Sequence, residues 1–320
     1  MKLTRTIGFI ASIFACAALA QPYPGKPVHI VVPFAPGGNL DVMARLFADF
    51  MAKDLGQPFV VDNRAGAGGS LGQEIVAKSA PDGYTLVAGT TGTTIVSPML
   101  VPGKSPYALK DFAPVGMMAV TPLVLEVPAA SPYRDYASFV ANARANPGKV
   151  SIGHSGNGTT NHVAILLLQE AAKLELNIIA YKGSGPMLVD LVGGQIESAM
   201  DQTSSSLSQI QAGKLRAIAV GTRKRIADLP NVPTFDESGL AGFEAVTPSG
   251  LLAPAGTPPE VVKTLNASIN KALAQPAIQK RLAELGSEIR PMSPADFARF
   301  MQDEEARLKA IAAKGVLKGE

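Results

Sequence analysis

Pro33-Phe34-Ala35-Pro36-Gly37-Gly38-Asn39-Leu40-Asp41 joins a run of β-branched residues to an amphipathic stretch, and its reading decides the fold. Before it, Val28-His29-Ile30-Val31-Val32 is short, apolar and β-rich, the pattern of a buried strand. After it, Leu40, Met43, Leu46, Phe47, Phe50 and Met51 recur at helical spacing, and Gly56 is placed to stop the helix. Asn39 is a good N-cap, and Asp41 falls in the first turn, where negative charge suits the helix dipole. Two glycines before the cap let a ligand come close to bare backbone amides. A strand, a Gly-rich turn and a helix start in that order make a seat for an anion.

Working outward, strand and helix patterns alternate along the whole chain, which predicts an α/β fold with mainly parallel sheets flanked by helices. Strands are expected at 59–61, 85–88, 123–127, 150–153, 177–181, 195–200, 215–220 and near 250–253, with helices at 71–78, 138–146, 161–174, 185–191 and 207–211. Thr257 is placed to cap a further helix, with Glu260 completing a capping box. Ser293 opens a last helix carrying Phe297, Phe300, Met301, Leu308 and Ile311 at core spacing. The break at 128–132 begins a fresh α/β series, so each half holds a strand, a Gly-rich turn and a helix start. Ligands in open α/β sheets sit at the C-terminal strand ends, and two such ends facing each other would form a cleft.

Residues 1–20 read as an export signal. Lys2 and Arg5 make a basic start, 7–19 is apolar but too short to span a bilayer, and Ala18-Leu19-Ala20 supplies small residues before Gln21. The rival reading is a lipoprotein signal at Cys16, where bulky Phe14 fits poorly. Cleavage after Ala20 removes two bases and no acid, so the net charge falls from +3 to +1. A near-neutral chain lacks a nucleic-acid footprint. Cys16 is the only cysteine, and its loss leaves no thiol nucleophile, no Cys metal ligand and no disulfide. About 300 residues suit two domains of ~150 each, stabilised by ordinary cores.

A second Gly-rich turn, Gly153-His154-Ser155-Gly156-Asn157-Gly158-Thr159-Thr160-Asn161-His162, nearly spells a nucleophile elbow, but Asn157 stands where the second glycine should. His162, the only later histidine, is too close in the chain for a downstream base. The residues fit better as a second anion seat, with Ser155, Thr159 and Thr160 hydroxyls beside the amides of Gly156 and Gly158 at a helix start. The alternative is a plain βα turn. Nucleotide motifs fail by position, since Leu71, Asn161 and Pro98 replace required glycines. Three scattered histidines offer no metal-ligand spacing, and no cofactor is expected. Thr90, Asp201 and Gln202 follow probable strand ends and could face a cleft, and Lys182 could reach a ligand.

Read together, the 33–41 stretch, Asn63-Arg64-Ala65-Gly66-Ala67-Gly68-Gly69 and Pro81-Asp82-Gly83-Tyr84-Thr85-Leu86 resemble the receptors of tripartite tricarboxylate transporters, the Bug-type solute-binding proteins. So do Tyr181-Lys182-Gly183, Gly213-Lys214-Leu215-Arg216-Ala217, Leu229-Pro230-Asn231-Val232-Pro233-Thr234 and Ala253-Pro254-Ala255-Gly256-Thr257-Pro258. The resemblance implies a periplasmic, non-enzymatic, two-domain flytrap of the type II-like periplasmic-binding-protein fold, acting as a monomer. It implies capture of a small organic carboxylate (a dicarboxylate, an amino acid or an aromatic acid) and delivery to a large and a small membrane subunit. Carried over, the ligand contacts are Phe34, Ala35, Pro36, Gly37, Gly38, Asn39 and Asp41, facing Ser155, Gly156, Gly158, Thr159 and Thr160. Asp41 is negative, so it is expected to orient amides or water and not to touch the carboxylate. Domain 1 is expected at 24–125 plus 246–320 and domain 2 at 126–245, because the strands near 123–127 and 250–253 look like crossovers. Where the family often has an aromatic residue, this chain has Thr247-Pro248-Ser249, and it has no Trp. The alternative functions are a ligand-sensing module for a membrane signalling receptor and a secreted hydrolase using Ser155.

Overall fold

Val28–Val32 forms the expected strand, β1, buried at every position but His29. It feeds the turn into α1 (Asn39–Leu55), which buries Leu40, Met43, Phe47 and Met51 on one face and ends at Gly56, whose φ of 71° closes the helix. The computed structural model describes residues 23–101 and 103–317. The expected leader at 1–20, Cys16 included, lies outside the described residues. The first series continues through β2 (Phe59–Asn63), α2 (Ser70–Ala77), β3 (Thr85–Thr90), a π-helical turn at Gly92–Val96 running into α3 (Ser97–Met99), and β4 (Phe112–Pro128). The second holds α4 (Tyr136–Ala145), β5 (Ser151–His154), α5 (Thr160–Ala172), β6 (Asn177–Ala180), α6 (Ser184–Val192), β7 (Ser198–Gln202), α7 (Thr203–Gln211) and β8 (Leu215–Val220). β9 (Val246–Pro254) then returns to the first series, followed by α8 (Pro259–Leu273), α9 (Pro276–Glu284) and α10 (Pro294–Ala313). Among the described residues no helix is long and apolar enough to cross a membrane.

The strands run in the order β2-β1-β3-β9-β4 and on through β7-β5-β6, with β8 also on β4. β1 is parallel to β2 and β3, and β5 is parallel to β6 and β7. The strands that carry the chain between the halves are antiparallel to their neighbours, which makes the sheet mixed: β9 to β3 and β4, and β4 to β7 and β8. Strand alternation divides the first half's core between two faces. Ile30 and Leu86 pack under Phe47, Leu265 and Ile269, while Val31 and Val87 pack with Val76, Phe297 and Met301. In the second half Leu123, Ile152 and Met200 pack with Phe139, Ile165 and Leu168.

Three local expectations change. β4 spans 17 residues where the sequence suggested five, because Pro114, Gly116 and Pro122 read as breakers. Register shifts at Pro114/Gly116 and Met117/Ala119 absorb the first of these without ending the strand. Asn39 is not the cap of α1. Gly38 holds the N-cap position, with no side-chain cap, and Asn39 Oδ1 instead accepts from Ser204 Oγ of α7 at 2.7 Å. Thr257 does not cap α8 either. Its hydroxyl donates to the Pro254 carbonyl at 2.8 Å and closes the turn after β9, while Pro259 supplies the helical φ at the start of α8.

Phe139 is fully buried and meets Tyr133 edge-on at 5.6 Å. Phe139→Ala is expected to destabilise the second half by about 3–5 kcal/mol, read as a lower urea midpoint.

Candidate functional site

The C-terminal ends of both parallel groups meet in a narrow slot. From the first half Phe34, Gly38, Asn39, Leu40 and Thr90 line it, and from the second Ser155, Thr159, Thr160, Asn161, Ser184 and Gln202. The free space is about 20 Å³, room for roughly one water. A larger solute can therefore enter only if the two jaws part.

The jaws meet through a backbone and a side-chain hydrogen bond. Ala35 N–H donates to the Lys182 carbonyl at 3.2 Å, and Ser204 bonds Asn39 across the gap. Gly158 has a φ of +81°, and a Cβ there would overlap Ser97; a Cβ on Gly68, φ +63°, would overlap the Asn157 carbonyl. These glycines let the second Gly-rich turn pack directly against the 63–69 turn and the start of α3.

On the first jaw, α1 begins without a side-chain cap, and Gly38, Asn39 and Leu40 at its start line the slot, so its first-turn amides have no side-chain acceptor. Asn39 Nδ2 is also buried with no acceptor. Asp41 is buried but does not line the slot. It accepts from Gly37 N–H at 3.0 Å, from Arg45 Nε at 3.0 Å and from Asn63 Nδ2 at 3.0 Å. Burial pushes its carboxyl up, but the hydrogen bonds from Arg45, Gly37 and Asn63 outweigh burial and hold it below the ordinary value. Asp41 thus fixes the turn by orienting an amide. The amides of Ala35 and Gly37 are already bonded, and Pro36 has none to offer.

The second Gly-rich turn bonds chiefly to itself. Gly156 N–H donates to His154 Nδ1 and Gly158 N–H to His162 Nδ1, each at 3.2 Å, and the two rings stack at 4.6 Å. Burial, then the neighbouring His162, holds His154 down to about 3, so its Nδ1 remains an acceptor. Thr159 Oγ1 donates to the Gly156 carbonyl and caps α5 at His162 N–H. Ser155 Oγ donates to Asn161 Oδ1 at 3.0 Å, not to a histidine. The amides of Gly156 and Gly158 and the hydroxyls of Ser155 and Thr159 are therefore held within the turn. Thr160 Oγ1 pairs with Thr247 Oγ1 at 2.7 Å, and Thr90 bonds Thr93. The uncapped helix starts of this jaw are α6, at Gly183-Ser184, and α7, at Gln202-Thr203.

Of the residues singled out in the sequence, Phe34, Gly38, Asn39, Thr90, Ser155, Thr159 and Thr160 line the slot. Ala35, Pro36, Gly37, Asp41, Gly156, Gly158 and Asp201 stand behind it. Asp201 is fully buried and accepts from Ser184 Oγ, Ser205 Oγ and Asn161 Nδ2. Burial raises its carboxyl to about 6 even though those bonds, with the Gln202 amide, pull the other way. Gln202, expected at a strand end facing the cleft, lines the slot as well, and Leu40, Asn161 and Ser184 line it without having been singled out for it. Ser184 was within reach of sequence reasoning, since Gly183-Ser184 repeats the Gly-then-helix-start pattern. A wider cleft of about 700 Å³ lies between α5 and α10, with Val246 and Pro248 in its wall. Its Arg223, Arg290 and Arg307 pair with Glu244, Glu288 and Glu304, so it offers an anion little unbalanced charge.

Two α/β halves joined by crossing strands and closing on a slot at their strand ends define a two-domain solute-binding protein. Residues 43–317 match the family described as tripartite tricarboxylate transporter family receptor, and the chain belongs to that family. It is 36% identical over 317 residues to the protein BugT of Bordetella pertussis, covering 97% of each chain. Its fold matches MatC from Rhodopseudomonas palustris with bound malate at a TM-score of 0.86 and 35% identity, over 92% of this chain and 100% of that one. It matches R. palustris Rpa4515 with adipate at 0.87 and 36%, over 91% and 97%.

Gly158→Ala is expected to hold the jaws apart, seen as a larger radius of gyration by small-angle scattering. Because the folded Asp41 carboxyl sits below its unfolded value, its stabilisation is present above the ordinary carboxylate range and lost as pH falls through the folded value. The stability gap between wild type and Asp41→Asn should thus be constant above about pH 5 and close below about pH 4.

Proposed function

We propose that this chain is a periplasmic receptor that captures a small organic carboxylate between two domains, 24–125 plus 246–320 and 126–245, and passes it unchanged to the large and small membrane subunits of its transporter. The observation that carries this reading is the convergence of three uncapped helix starts, those of α1, α6 and α7, at one slot. Each lacks a side-chain cap and so offers first-turn N–H groups and the positive end of a dipole, which suits an anion of small size. The unpartnered Asn39 Nδ2 adds a buried donor. Hydrogen bonds to a charged group contribute roughly 1.5–3 kcal/mol each, so four or five reach the ~8 kcal/mol of micromolar binding.

The malate of MatC and the adipate of Rpa4515 favour a dicarboxylate over an amino acid or an aromatic acid. Capture without chemistry agrees with a Ser155 hydroxyl tied to Asn161. The domain division is supported by β4, which leaves β9 after Pro122 and pairs with β7 and β8 from Leu123 on, close to the proposed 125/126 boundary, and by β9, which begins at Val246.

The test is a thermal-shift screen. A bound dicarboxylate at 100 times its Kd should stabilise the fold by about 2.7 kcal/mol. A shift with sugars and none with any carboxylate would overturn the reading. Asn39→Asp, which exchanges the buried donor for an acceptor and adds charge, should weaken binding by roughly 1.5–3 kcal/mol, or about 10- to 150-fold in Kd by calorimetry.

A further inference from the structure

Behind the slot lie two carboxyl groups that solute capture does not obviously require. Glu126 on β4 and Asp201 on β7 are both fully buried. In the antiparallel register Asp201 stands opposite Val124 and Ala199 opposite Glu126, so the two acids are diagonal neighbours on one face of the sheet. Neither oxygen of Glu126 has a hydrogen-bond partner, since the nearby Ser206 hydroxyl donates to the Gln202 carbonyl at 3.1 Å, and a charge left so unpartnered in a core favours the neutral acid. Asp201, by contrast, receives the hydroxyl protons of Ser184 and Ser205. With its proton turned back to Asp201, the Ser184 hydroxyl shows the slot only lone pairs, the wrong face for an anion.

We propose that capture of an anionic solute takes up one proton at the Asp201–Glu126 pair, and that this proton turns the Ser184 hydroxyl from an acceptor into a donor toward the slot. The inference rests on the carboxylate reading above. A proton from solvent adds to the Asp201 carboxylate. The resulting O–H donates to Ser184 Oγ, and the Ser184 O–H is released to the ligand carboxylate. Charge then balances at the site, because the incoming anion no longer faces a buried anion one side chain away.

The surroundings leave the pair as the group that titrates. Burial, and then the charge of Asp201, pushes Glu126 well above the ordinary range, with Ser206 opposing weakly. Asp201 sits at about 6. The elements packed on β7 add His154 from β5, held down to about 3, and His162 from α5, stacked on it with Nδ1 accepting from Gly158. α6 adds Asp190, which accepts from Tyr181 Oη, and α7 carries no titratable residue. Because the two acids interact, the uptake belongs to the pair and not to one oxygen.

The experiment is calorimetry with malate and adipate between about pH 6.5 and 8.5, where both ligands are ionised, in buffers of different ionisation enthalpy. A single linked proton weakens binding by up to tenfold per pH unit. The wild type should lose at least about tenfold across the range and take up a measurable fraction of a proton near neutral pH. Asp201→Asn, whose amide can donate to Ser184 permanently, should bind with no uptake and a flat pH profile. Glu126→Gln, which leaves a neutral group beside Asp201 as before, should keep both the uptake and its midpoint. Binding with a flat wild-type profile and no uptake overturns the proposal while leaving the carboxylate reading intact. Uptake that persists in Asp201→Asn places the proton elsewhere, and a midpoint moved to lower pH in Glu126→Gln means Glu126 carries charge before capture, which overturns its assignment as the neutral partner. Absence of dicarboxylate binding at every pH fails the underlying reading itself.

Discussion

The pairing of β4 with β9 is the constraint on which the rest of the structure depends. Their register runs from Phe112 opposite Pro254 to Pro122 opposite Val246, and beyond it β4 is taken over by β7 and β8. One strand thus belongs to both halves of the sheet, and its partner brings the chain home. Each half retains a parallel group of three strands, whose C-terminal ends point at the other half. The slot is therefore a product of topology before any particular side chain is placed in it. The same ribbon separates two spaces by strand alternation. Val246 and Pro248 face the wide cleft, while Thr247 between them bonds Thr160 and Gln202 at the slot.

Much of this was legible in the chain. The α/β alternation, the helix stop at Gly56, the Ser293 cap and β8 at Leu215–Val220 all follow from local patterns. What local patterns could not carry were the crossings. β4 holds Pro114, Gly116 and Pro122, each of which ends a strand by local rules, and its continuity depends on partners about 130 residues away in sequence. Caps failed for a related reason. Asn39 and Thr257 have the chemistry of N-caps, but Ser204 and the Pro254 carbonyl offer them other partners once the chain is folded.

The candidate site was half legible. The first Gly-rich turn does end in an open helix start, as its residues suggest. The second has equally suitable residues, yet their donors are already bonded. The cause lies in two histidines that the sequence marks only as polar. His154 and His162 stack and accept the amides of Gly156 and Gly158, so the turn is a rigid abutment and not an open seat. Which of several amides remains free depends on three-dimensional competition for each hydrogen, and periodicity does not report it. The open starts fall instead at Gly183-Ser184 and Gln202-Thr203.

This division of labour explains how the jaws can close firmly and still answer to a ligand. Glycines at 68 and 158 let backbone meet backbone, and the contacts of Ala35 with Lys182 and of Ser204 with Asn39 hold the jaws together directly. If those contacts alone decided the equilibrium, a bound solute would change nothing, because only a ligand that prefers one state can shift the balance. The preference has to come from groups whose hydrogen bonds are incomplete in the closed form. Asn39 Nδ2 and the uncapped starts of α1, α6 and α7 meet that condition, and they lie on both sides of the gap. In the proposed receptor, a carboxylate spanning them would gain bonds from both jaws only when the jaws are together, whereas an open jaw would offer it one set. Closure and recognition would then be coupled through the same unsatisfied amides.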